Sequence, residues 1–419
     1  MIGIRTAMIY VAVMMIVKSL AGLVALKVQA TLLLPSSFAV LSQFMTVVGL
    51  VANISSAAVT SGMTVLLARA NTQTSMNQLI QSGKIFSAGL SCLVSIGCVI
   101  LFFDRTDLIN ISPLPSYLFL ILAIAPWLIT QSSIEQARLT SSYHLNRLTT
   151  LSNASTIAVA ILIMLLTFYF GLTGSAIAAA IGPMLVAIVL LLFSANKGLA
   201  SETVGIENGR ARHISELLRF SAAMFVAICA VPISHILIRG SLVEAGSVLQ
   251  AGYWSATVRL SDVYMQFFGL LLTFYILPKV SSQIGFVESK RLFTSYLGQL
   301  SLVSVGILGM AFFLREYIVE LALAPEFRPV ISLLKIQLVG DFFRILSSFF
   351  FWFAYGQNLR VLAATEEVLQ GCLFYMYFRI ANNNNYAQGV VDAHLLASVT
   401  NAIIIGFFLM LFISRRRNN

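Results

Sequence analysis

The sequence predicts an all-α polytopic membrane protein with about twelve transmembrane helices. Of the 419 residues, 58% are hydrophobic and only 10% are charged, and the mean hydropathy is +0.91. A soluble protein of this length needs more charged residues to cover its surface. Apolar runs of about 20 residues, each long enough to cross ~30 Å of hydrocarbon, recur along the whole chain. Polar and apolar residues do not alternate in these runs, as they would in a transmembrane β-barrel.

The apolar runs predict where the twelve helices lie, with boundaries accurate to about four residues. We place them over residues 6–29, 37–66, 85–103, 116–137, 150–170, 174–194, 219–238, 253–277, 293–314, 331–355, 361–380 and 391–413. The first run follows a short basic segment, as in a signal peptide. However, it is long, contains Lys18 and Lys27, and lacks a small-x-small cleavage site. We therefore interpret it as a transmembrane helix.

The distribution of lysine and arginine predicts that both termini are cytoplasmic. With the N-terminus inside, the cytoplasmic segments hold 16 cations and the outer ends and loops hold five, as positive-inside topology requires. The cytoplasmic cations are Arg5, Arg69, Lys84, Arg138, Arg147, Lys197, Arg210, Arg212, Arg219, Lys279, Lys290, Arg291, Arg360, Arg415, Arg416 and Arg417. The outer cations are Arg105, Arg239, Arg315, Arg328 and Arg379. Much of the net charge of +10 therefore reflects topology, and no accompanying basic and aromatic module indicates nucleic-acid binding.

A hydrophilic stretch divides the hydropathy profile into two halves of six helices each. We predict an N-terminal six-helix bundle over residues 1–194, a cytoplasmic linker over 195–218 and a C-terminal six-helix bundle over 219–419. Many transporters are built from two such halves. Near the end of the linker, Ile214, Leu217 and Leu218 fall close to one helical face, so we expect this part to lie on the inner membrane surface.

Several chemistries have no signature in the sequence. There is no GxxxxGK[ST] loop, so ATP is not the direct energy source. The four histidines are scattered and the four cysteines lie in apolar runs without CxxC spacing, which predicts neither a metal site nor a cofactor. A Gly-x-Ser-x-Gly motif is also missing, and we do not expect an enzyme. The short outer loops count against a membrane-embedded glycan polymerase or ligase.

Charged side chains inside the predicted membrane helices are the candidate functional residues. Each costs about 2.5–3.5 kcal/mol on insertion scales, so each needs a physical reason. At a rise of 1.5 Å per residue, Lys18, Asp341 and Arg344 lie roughly 15 to 20 Å from a helix end, near the membrane midplane. Asp262 lies roughly 13 Å deep in its helix, with Arg259 one turn nearer the outer edge.

Other charges lie close enough to helix ends to extend into the interface. Lys27, Lys335, Arg239 and Arg379 lie near outer ends, and Glu135, Glu366 and Glu367 lie near inner ends. Long side chains at such positions snorkel toward water, so they require no function.

The deeper charges have a structural and a functional interpretation. Arg259 and Asp262, like Asp341 and Arg344, are three residues apart and share a helix face, so each pair can form an intrahelical ion pair that makes insertion less costly. Alternatively, the charges line a water-filled cavity between the two bundles. Lys18, which has no such partner, makes the wall of this cavity more cationic. A cationic wall suits an anionic substrate, such as a phosphorylated lipid headgroup or acidic sugars.

Four segments carry a resemblance to a known family. They are residues 16–27 (IVKSLAGLVALK), 217–239 (LLRFSAAMFVAICAVPISHILIR), 254–282 (WSATVRLSDVYMQFFGLLLTFYILPKVSS) and 335–345 (KIQLVGDFFRI). In this order they resemble Wzx-type flippases for lipid-linked oligosaccharides, which include O-antigen translocases and the flippase of enterobacterial common antigen lipid III. Residues 104–150 show little resemblance.

The resemblance implies the multidrug/oligosaccharidyl-lipid/polysaccharide exporter fold, in which two six-helix bundles form a V around a central cavity. It also implies that the substrate is an oligosaccharide linked to undecaprenyl pyrophosphate, such as an O-antigen repeat unit in lipopolysaccharide biosynthesis. This substrate would cross from the inner to the outer leaflet of the bacterial inner membrane. Membrane lipids, a glycan polymerase and a chain-length regulator are the other partners that it suggests.

The resemblance and the depth of the charges together define a set of candidate site residues. Lys18, Lys27, Arg239, Asp262 and Asp341 occupy positions that match the family, whereas the roles of Arg259 and Arg344 follow from charge and depth alone. We expect the substrate to be bound by Lys18, Lys27, Arg239, Arg259 and Arg344. We expect Asp262, Asp341 and Glu135 to pair with these cations or to couple transport to an ion.

Two functions remain open at this stage. The first is a lipid-linked oligosaccharide flippase that works by alternating access, with or without ion coupling. The alternative is an ion-gradient-driven exporter of drugs or other small molecules from the same superfamily. An exporter of cationic drugs would need an acidic cavity, and the predicted midplane is not acidic.

The cationic bias gives a direct test of topology. Reporter fusions within residues 195–218 and after Arg417 should report a cytoplasmic location, because cytoplasmic loops carry the excess of lysine and arginine. A fusion in the predicted outer loop at residues 104–115 serves as the control and should report a periplasmic location. A periplasmic signal at the linker or the C-terminus would overturn the helix count or the orientation.

Overall fold

The computed structural model of the protein describes residues 4–69, 73–103, 112–141, 145–194, 210–281, 286–357, 359–381 and 386–415. Over these ranges the chain is almost entirely helical and contains no strand. The α-helices are α1 (Ile4–Leu32), α2 (Pro35–Arg69), α3 (Gln73–Phe103), α4 (Tyr117–Ser141), α5 (Leu145–Ser194), α6 (Arg210–Glu244), α7 (Val248–Leu271), α8 (Leu277–Ser281), α9 (Phe286–Phe313), α10 (Arg315–Ala322), α11 (Val330–Gly356), α12 (Arg360–Ile380) and α13 (Tyr386–Arg415).

Each of the twelve predicted membrane helices has a counterpart among these elements, which confirms the all-α prediction. The predicted fifth and sixth helices are the two arms of α5, which are separated at Gly171. The predicted eighth helix consists of α7, a π-helical turn over Leu272–Ile276, and α8. The short helix α10 and a 3-10 turn over Pro325–Phe327 were not predicted, because they are too short and polar to produce a hydropathy signal.

Several helices begin before their predicted boundaries, and the difference is largest for α3 and α6. α3 begins at Gln73 rather than at residue 85, and α6 begins at Arg210 rather than at residue 219. Hydropathy detects only the apolar part of a helix, whereas the backbone hydrogen bonds continue through its polar turns. The segment 210–218, expected to lie on the membrane surface, is therefore the first part of the continuous helix α6. Residues 195–209 of the predicted linker lie outside the described residues.

Eight stretches within the described helices are long and apolar enough to cross a membrane. The stretch in α5 has 48 residues, which is long enough for two crossings of the membrane, one on each side of Gly171. Three predicted membrane helices, α7, α11 and α12, contain no such stretch, and two of them, α7 and α11, carry the deep charges Asp262, Asp341 and Arg344. A helix of this kind needs polar neighbours in the protein, since lipid offers none.

The chain divides into two compact units. The first unit contains Met1–Ala25 and Gln43–Ile228, and the second contains Leu26–Ser42 and Cys229–Asn419. The hairpin between α1 and α2 thus belongs to the second unit, although it lies in the predicted N-terminal bundle. The predicted boundaries 1–194, 195–218 and 219–419 were drawn from hydropathy, which gives no information on packing, and they stay a prediction.

Contacts within the second unit explain why it includes this hairpin. The ring of Phe38 packs edge-on against Phe327 at a centroid distance of 5.4 Å. A side chain at Gly252 would place its Cβ only 2.0 Å from the carbonyl oxygen of Pro35, so the glycine permits this close approach. Ala39 belongs to the same buried core as Trp254.

Each unit has its own buried core. In the first unit, a cluster from α2, α3 and α4 consists of Val59, Met63, Leu79, Ile134 and Ala137. In the second unit, α11 packs against α7, α9, α12 and α13. The polar residues of α11 therefore lie among these four helices, and two of the functional candidates, Asp341 and Arg344, are found there.

Gly171 gives a test of the break in α5. Its φ of 56° and ψ of −131° lie in a region that is open to glycine and strained for other residues. We expect Gly171→Ala to destabilise the protein by roughly 1–3 kcal/mol. Gly97→Ala is the matched control, because Gly97 is helical and its Cβ would meet no atom within 4 Å. Thermal unfolding of the purified variants measures the effect, and equal midpoints for the two variants would contradict the prediction.

Candidate functional site

Asp341 lies at the centre of a buried polar cluster in the second unit. Its side chain belongs to α11 and is only 2% exposed. Tyr264 of α7 donates a hydrogen bond from its hydroxyl to Asp341 Oδ2 at 2.5 Å, and Ser261 lies 2.8 Å from the same hydroxyl. Gln337 Nε2 and His394 Nε2 donate to Asp341 Oδ1 at 3.0 and 2.8 Å. We call these five residues the Asp341 cluster.

The local sequence of α11 makes this cluster possible. Gln337 precedes Asp341 by four residues, so both side chains lie on one helix face. Gly340 lies against α13, and a Cβ at this position would come within 2.7 Å of His394 Cδ2. The absence of a side chain at Gly340 therefore lets the imidazole reach the carboxylate. The motif Gln-Leu-Val-Gly-Asp combines the acceptor, one of its donors and the space for another.

Arg344 forms a second cluster one turn further along α11. Its Nη1 contacts Glu366 Oε1 at 2.8 Å, and its Nη2 contacts Glu367 Oε2 at 2.6 Å. Both glutamates belong to α12, and the side chain of Glu366 is 0% exposed. Charge-assisted hydrogen bonds of this kind are stronger than neutral ones, and the planar guanidinium can donate to two acceptors at once.

Amide side chains extend this second cluster to α13. Asn401 Nδ2 donates to Glu366 Oε1 at 2.9 Å and to Gln370 Oε1 at 3.1 Å. Gln370 Nε2 in turn donates to Ser398 Oγ at 3.1 Å. Glu366 Oε2 is buried and accepts no hydrogen bond from the described residues. We call Arg344, Glu366, Glu367, Gln370, Ser398 and Asn401 the Arg344 cluster.

The intrahelical pair between Asp341 and Arg344, one of the two interpretations of these charges, does not form. Arg344 is long enough to reach α12, where two carboxylates offer charged partners, and Asp341 is already satisfied by hydrogen bonds from α7, α11 and α13. The expectation that Glu366 snorkels from a helix end was also wrong, since its side chain is completely enclosed. Spacing within one helix could not identify a partner on another helix.

The sequence does contain a signal for these clusters, which the analysis of charges alone missed. Polar residues recur at helical spacing in three predicted membrane helices, so each set lies on one face. The sets are Gln337, Asp341 and Arg344 in α11, Glu366 and Gln370 in α12, and His394, Ser398 and Asn401 in α13. Three polar faces in apolar helices predict that the helices contact each other through those faces.

Arg239 lies inside the second unit rather than at an exposed helix end. The side chain is 2% exposed, and Nε donates to Ser255 Oγ at 2.9 Å. The guanidinium carbon lies 5.0 Å from the centre of the Trp254 ring, within the range of a cation–π interaction. These contacts join α6 to α7, so Arg239 has a clear packing role. Its expected role in substrate binding stays a prediction.

Arg259 and Asp262 of α7 lie close enough to Arg239 to interact with it electrostatically. Arg259 is half-buried and Asp262 is exposed on the surface of the second unit. The Asp262 carboxylate interacts electrostatically with the positive charges of Arg259 and Arg239 and with the negative charge of Asp341. The exposed carboxylate is therefore accessible to a ligand or an ion, whereas Asp341 is enclosed.

The remaining candidates have separate environments. Lys27 Nζ donates to the carbonyl oxygens of Glu320 and Leu323 at 2.9 and 2.7 Å, and so binds the C-terminal end of α10. In the first unit, Glu135 pairs with Arg138 at 3.4 Å on α4. Lys18 of the first unit is half-buried, and no described residue forms a hydrogen bond or ion pair with it.

No group of three metal-ligating side chains occurs within the part of the chain that the structure describes. The chemistry of the site therefore consists of charges, carboxylates and hydrogen bonds. Such groups can bind an anion, hold a proton or coordinate a monovalent cation through oxygen atoms.

Comparison with solved structures defines the fold as that of the MOP superfamily transporters. The chain matches the lipid II flippase MurJ in its inward closed conformation with a TM-score of 0.74 and 13% identity, over 97% of this chain and 87% of that chain. It matches an inward-facing MATE family multidrug resistance transporter with a TM-score of 0.70 and 13% identity, over 99% of both chains. These identities establish the fold alone.

Sequence comparison identifies more specific relatives. The chain is 23% identical over 270 residues to the lipid III flippase of Escherichia coli (strain K12) and, to the same extent, to that of Shigella flexneri. The match covers 62% of this chain and 64% of the length of each relative. No family model matches the chain.

The Arg344 cluster gives a test of charge burial. Arg344→Met removes the only guanidinium within this cluster and strands two carboxylates, so we expect a loss of about 3–5 kcal/mol of stability. The matched control is the triple variant Arg344→Met, Glu366→Gln and Glu367→Gln, which removes all three charges together. It should recover most of the stability, because neutral groups are less costly to bury than an unpaired charge. Thermal unfolding midpoints of the two variants measure the loss of stability. An equal loss in both variants would contradict the view that these three charges stabilise one another.

Proposed function

We propose that the protein is a flippase for a lipid-linked oligosaccharide, such as an O-antigen repeat unit carried on undecaprenyl pyrophosphate. It would move this substrate from the inner to the outer leaflet of the bacterial inner membrane by alternating access. The lipid tail would stay in the bilayer while the charged and sugar-bearing part crosses through protein. Both termini would face the cytoplasm, as the distribution of cations predicts.

The observation that carries this proposal is the sequence match to lipid III flippases. Multidrug transporters and a lipid II flippase share the fold at similarly low identity, so fold similarity does not separate the two functions. The sequence match over 270 residues is to lipid-linked oligosaccharide flippases. Neither of these two relatives is a drug exporter. The sequence match therefore favours flipping over drug export.

The charges suit a substrate that carries a pyrophosphate. Lys18 is our main candidate for attracting the phosphates, because it is half-buried and no described residue pairs with it. Arg344 was expected to share this role, but its two glutamate partners offset its charge. We therefore assign Arg344 to positioning α11 and α12. Arg259 and Asp262 remain candidates for contact with the substrate or the coupling ion.

The Arg344 cluster also supports coupling to a proton or a monovalent cation. It contains two carboxylates and one guanidinium, so it buries one excess negative charge when both glutamates are ionised. Binding one proton or one cation at the unbonded Glu366 Oε2 would neutralise that excess. Asp341, by contrast, accepts three hydrogen bonds, and both of its carboxylate oxygens have a partner.

The alternative function is an ion-driven exporter of drugs or other small molecules. The likeness to MATE family transporters keeps this alternative open, because it covers 99% of the chain. The two functions differ in substrate and can therefore be separated by experiment. A flippase should restore surface glycan without changing drug resistance, and an exporter should do the reverse.

Lys18 provides the sharpest test of the flippase proposal. We expect Lys18→Ala to reduce surface glycan at least tenfold in a strain that lacks the chromosomal copy, because the phosphates lose their cation while the protein still inserts. Lys335→Ala is the matched control, since Lys335 is an exposed lysine that lies near a predicted outer helix end. It should leave surface glycan unchanged at the same membrane level.

Lys27→Ala separates packing from substrate binding. This change removes the hydrogen bonds to the end of α10, so we expect a lower membrane level and a smaller effect on export per molecule. The surface glycan of every variant is divided by its membrane level, which is measured by immunoblot. Wild-type export by Lys18→Ala would contradict the role of Lys18 in binding the phosphates. Drug resistance without restored surface glycan would favour the exporter.

A further inference from the structure

A cavity of about 430 Å³ opens at one end of the second unit, away from the two clusters on α11. It lies between the end of the eighth predicted helix and α9. Its lining residues are Tyr275, Lys279, Arg291, Leu292, Ser295, Tyr296 and Gln299. None of these is acidic. Lys279 and Arg291 both belong to the cations that predict the cytoplasmic side, so this end of the unit is expected to face the cytoplasm.

One wall of the cavity holds Lys279 in a defined position. Its Nζ donates a hydrogen bond to the hydroxyl of Tyr275 at 2.8 Å and lies 4.0 Å from the centre of the same ring. The ring of Tyr296 lies 5.6 Å from this Nζ and packs edge-on against Tyr275. Lys279 lies beyond the predicted membrane helix, and the hydrogen bond to Tyr275 raises its pKa above the ordinary value. The ammonium is therefore charged at neutral pH.

The backbone is irregular where this wall is built. Tyr275 belongs to the π-helical turn Leu272–Ile276, and Lys279 follows it by four residues. A π turn inserts one extra residue into a helix and rotates the side chains that follow it, and such turns occur frequently at functional sites. This irregularity is an observation independent of the charges, and it concerns the same side chains.

The opposite wall comes from one face of α9. Arg291, Ser295 and Gln299 are spaced by four residues, so they form a row of donors along the helix. All three are exposed, and Gln299 Nε2 donates to Ser295 Oγ at 3.3 Å. The cavity therefore presents a cation on each wall, with hydroxyl and amide groups beside them.

We propose that this cavity binds a phosphate group. Two cations, hydroxyl and amide donors and no carboxylate among the described lining residues suit an anion with several oxygen acceptors. Tyrosine rings beside the cations suit the boundary between headgroups and acyl chains, where amphipathic rings are favoured. The phosphate can belong to the headgroup of an anionic phospholipid or to free inorganic phosphate. The proposal does not depend on flipping, because neither source is the transported substrate.

Adjacent cations of α9 provide a matched pair of variants. Arg291 lines the cavity, whereas its neighbour Lys290 is exposed and is not among the lining residues. Arg291→Gln and Lys290→Gln each remove one positive charge from the same helix turn. A general attraction of anions to the basic end of the unit should weaken equally in both variants, and a site in the cavity should weaken only in the first.

Binding of a lipid headgroup in the cavity is tested by native mass spectrometry. The purified full-length protein is titrated with phosphatidylglycerol or with phosphatidylcholine. We expect the first phosphatidylglycerol to bind more tightly than phosphatidylcholine. Arg291→Gln should weaken its binding about tenfold, as expected for loss of a charge-assisted hydrogen bond. Lys290→Gln should change it less than twofold. Tyr275→Phe, which removes the hydroxyl that holds Lys279 and keeps the ring, should also weaken binding.

Free phosphate is tested by isothermal titration of inorganic phosphate into the protein in phosphatidylcholine nanodiscs. Binding in this arm that is lost in Arg291→Gln and kept in Lys290→Gln supports a site for free phosphate. The same pattern in the phosphatidylglycerol arm alone supports a headgroup site. Equal effects of the two substitutions, or equal binding of both lipids together with no heat from phosphate, overturn the proposal. Size-exclusion profiles establish that each variant is folded.

Discussion

The contact between Arg344 and the two glutamates of α12 is the constraint on which the packing of the second unit depends. A guanidinium near the middle of a membrane helix is tolerated only where protein supplies its partners. The partners of Arg344 are on a different helix, and one of them is completely enclosed. α11 and α12 therefore cannot separate without exposing three charges to an apolar surrounding. Asn401 adds α13 to the same contact through Glu366.

The Asp341 cluster applies the same principle one turn away with a different set of groups. Its carboxylate accepts hydrogen bonds from a phenol, an amide and an imidazole, and among the described residues no arginine or lysine lies within ion-pair distance of it. Tyr264 brings in α7, and Gly340 allows α13 to approach. The two clusters together fix α11 against three helices. This explains why helices with polar residues on one face lie in contact with one another, as lipid could not satisfy their polar groups.

The sequence predicted the number and type of the helices because both depend on local properties. An apolar run of sufficient length predicts a membrane helix whatever its neighbours are, and the break between the predicted fifth and sixth helices appears at Gly171. The partner of Arg344 is a different kind of property. Asp341 is close in sequence, whereas Glu366 is 22 residues away and is close only after two helices have packed. Helical spacing within α11 could therefore suggest a pair with Asp341, but it could not weigh that pair against one on another helix. The polar faces of α12 and α13 contained the missing information, because matching polar faces in apolar helices indicate mutual contact.

The difference between the two clusters bears on the proposed coupling of transport to an ion. A group that couples transport must gain and lose an ion as the protein changes conformation, so its contacts must be incomplete in at least one state. Asp341 has both carboxylate oxygens hydrogen-bonded and is held by three helices. Glu366 has one oxygen shared between Arg344 and Asn401 and one buried oxygen that accepts no hydrogen bond from the described residues. The enclosed glutamate is thus the less satisfied of the two acids, although the sequence pointed to Asp341. Because Glu366 contacts α11 and α13 through the same atom, an ion bound at its other oxygen would alter the charge balance of all three helices at once. A local binding event at this residue could in this way change the packing of the whole unit.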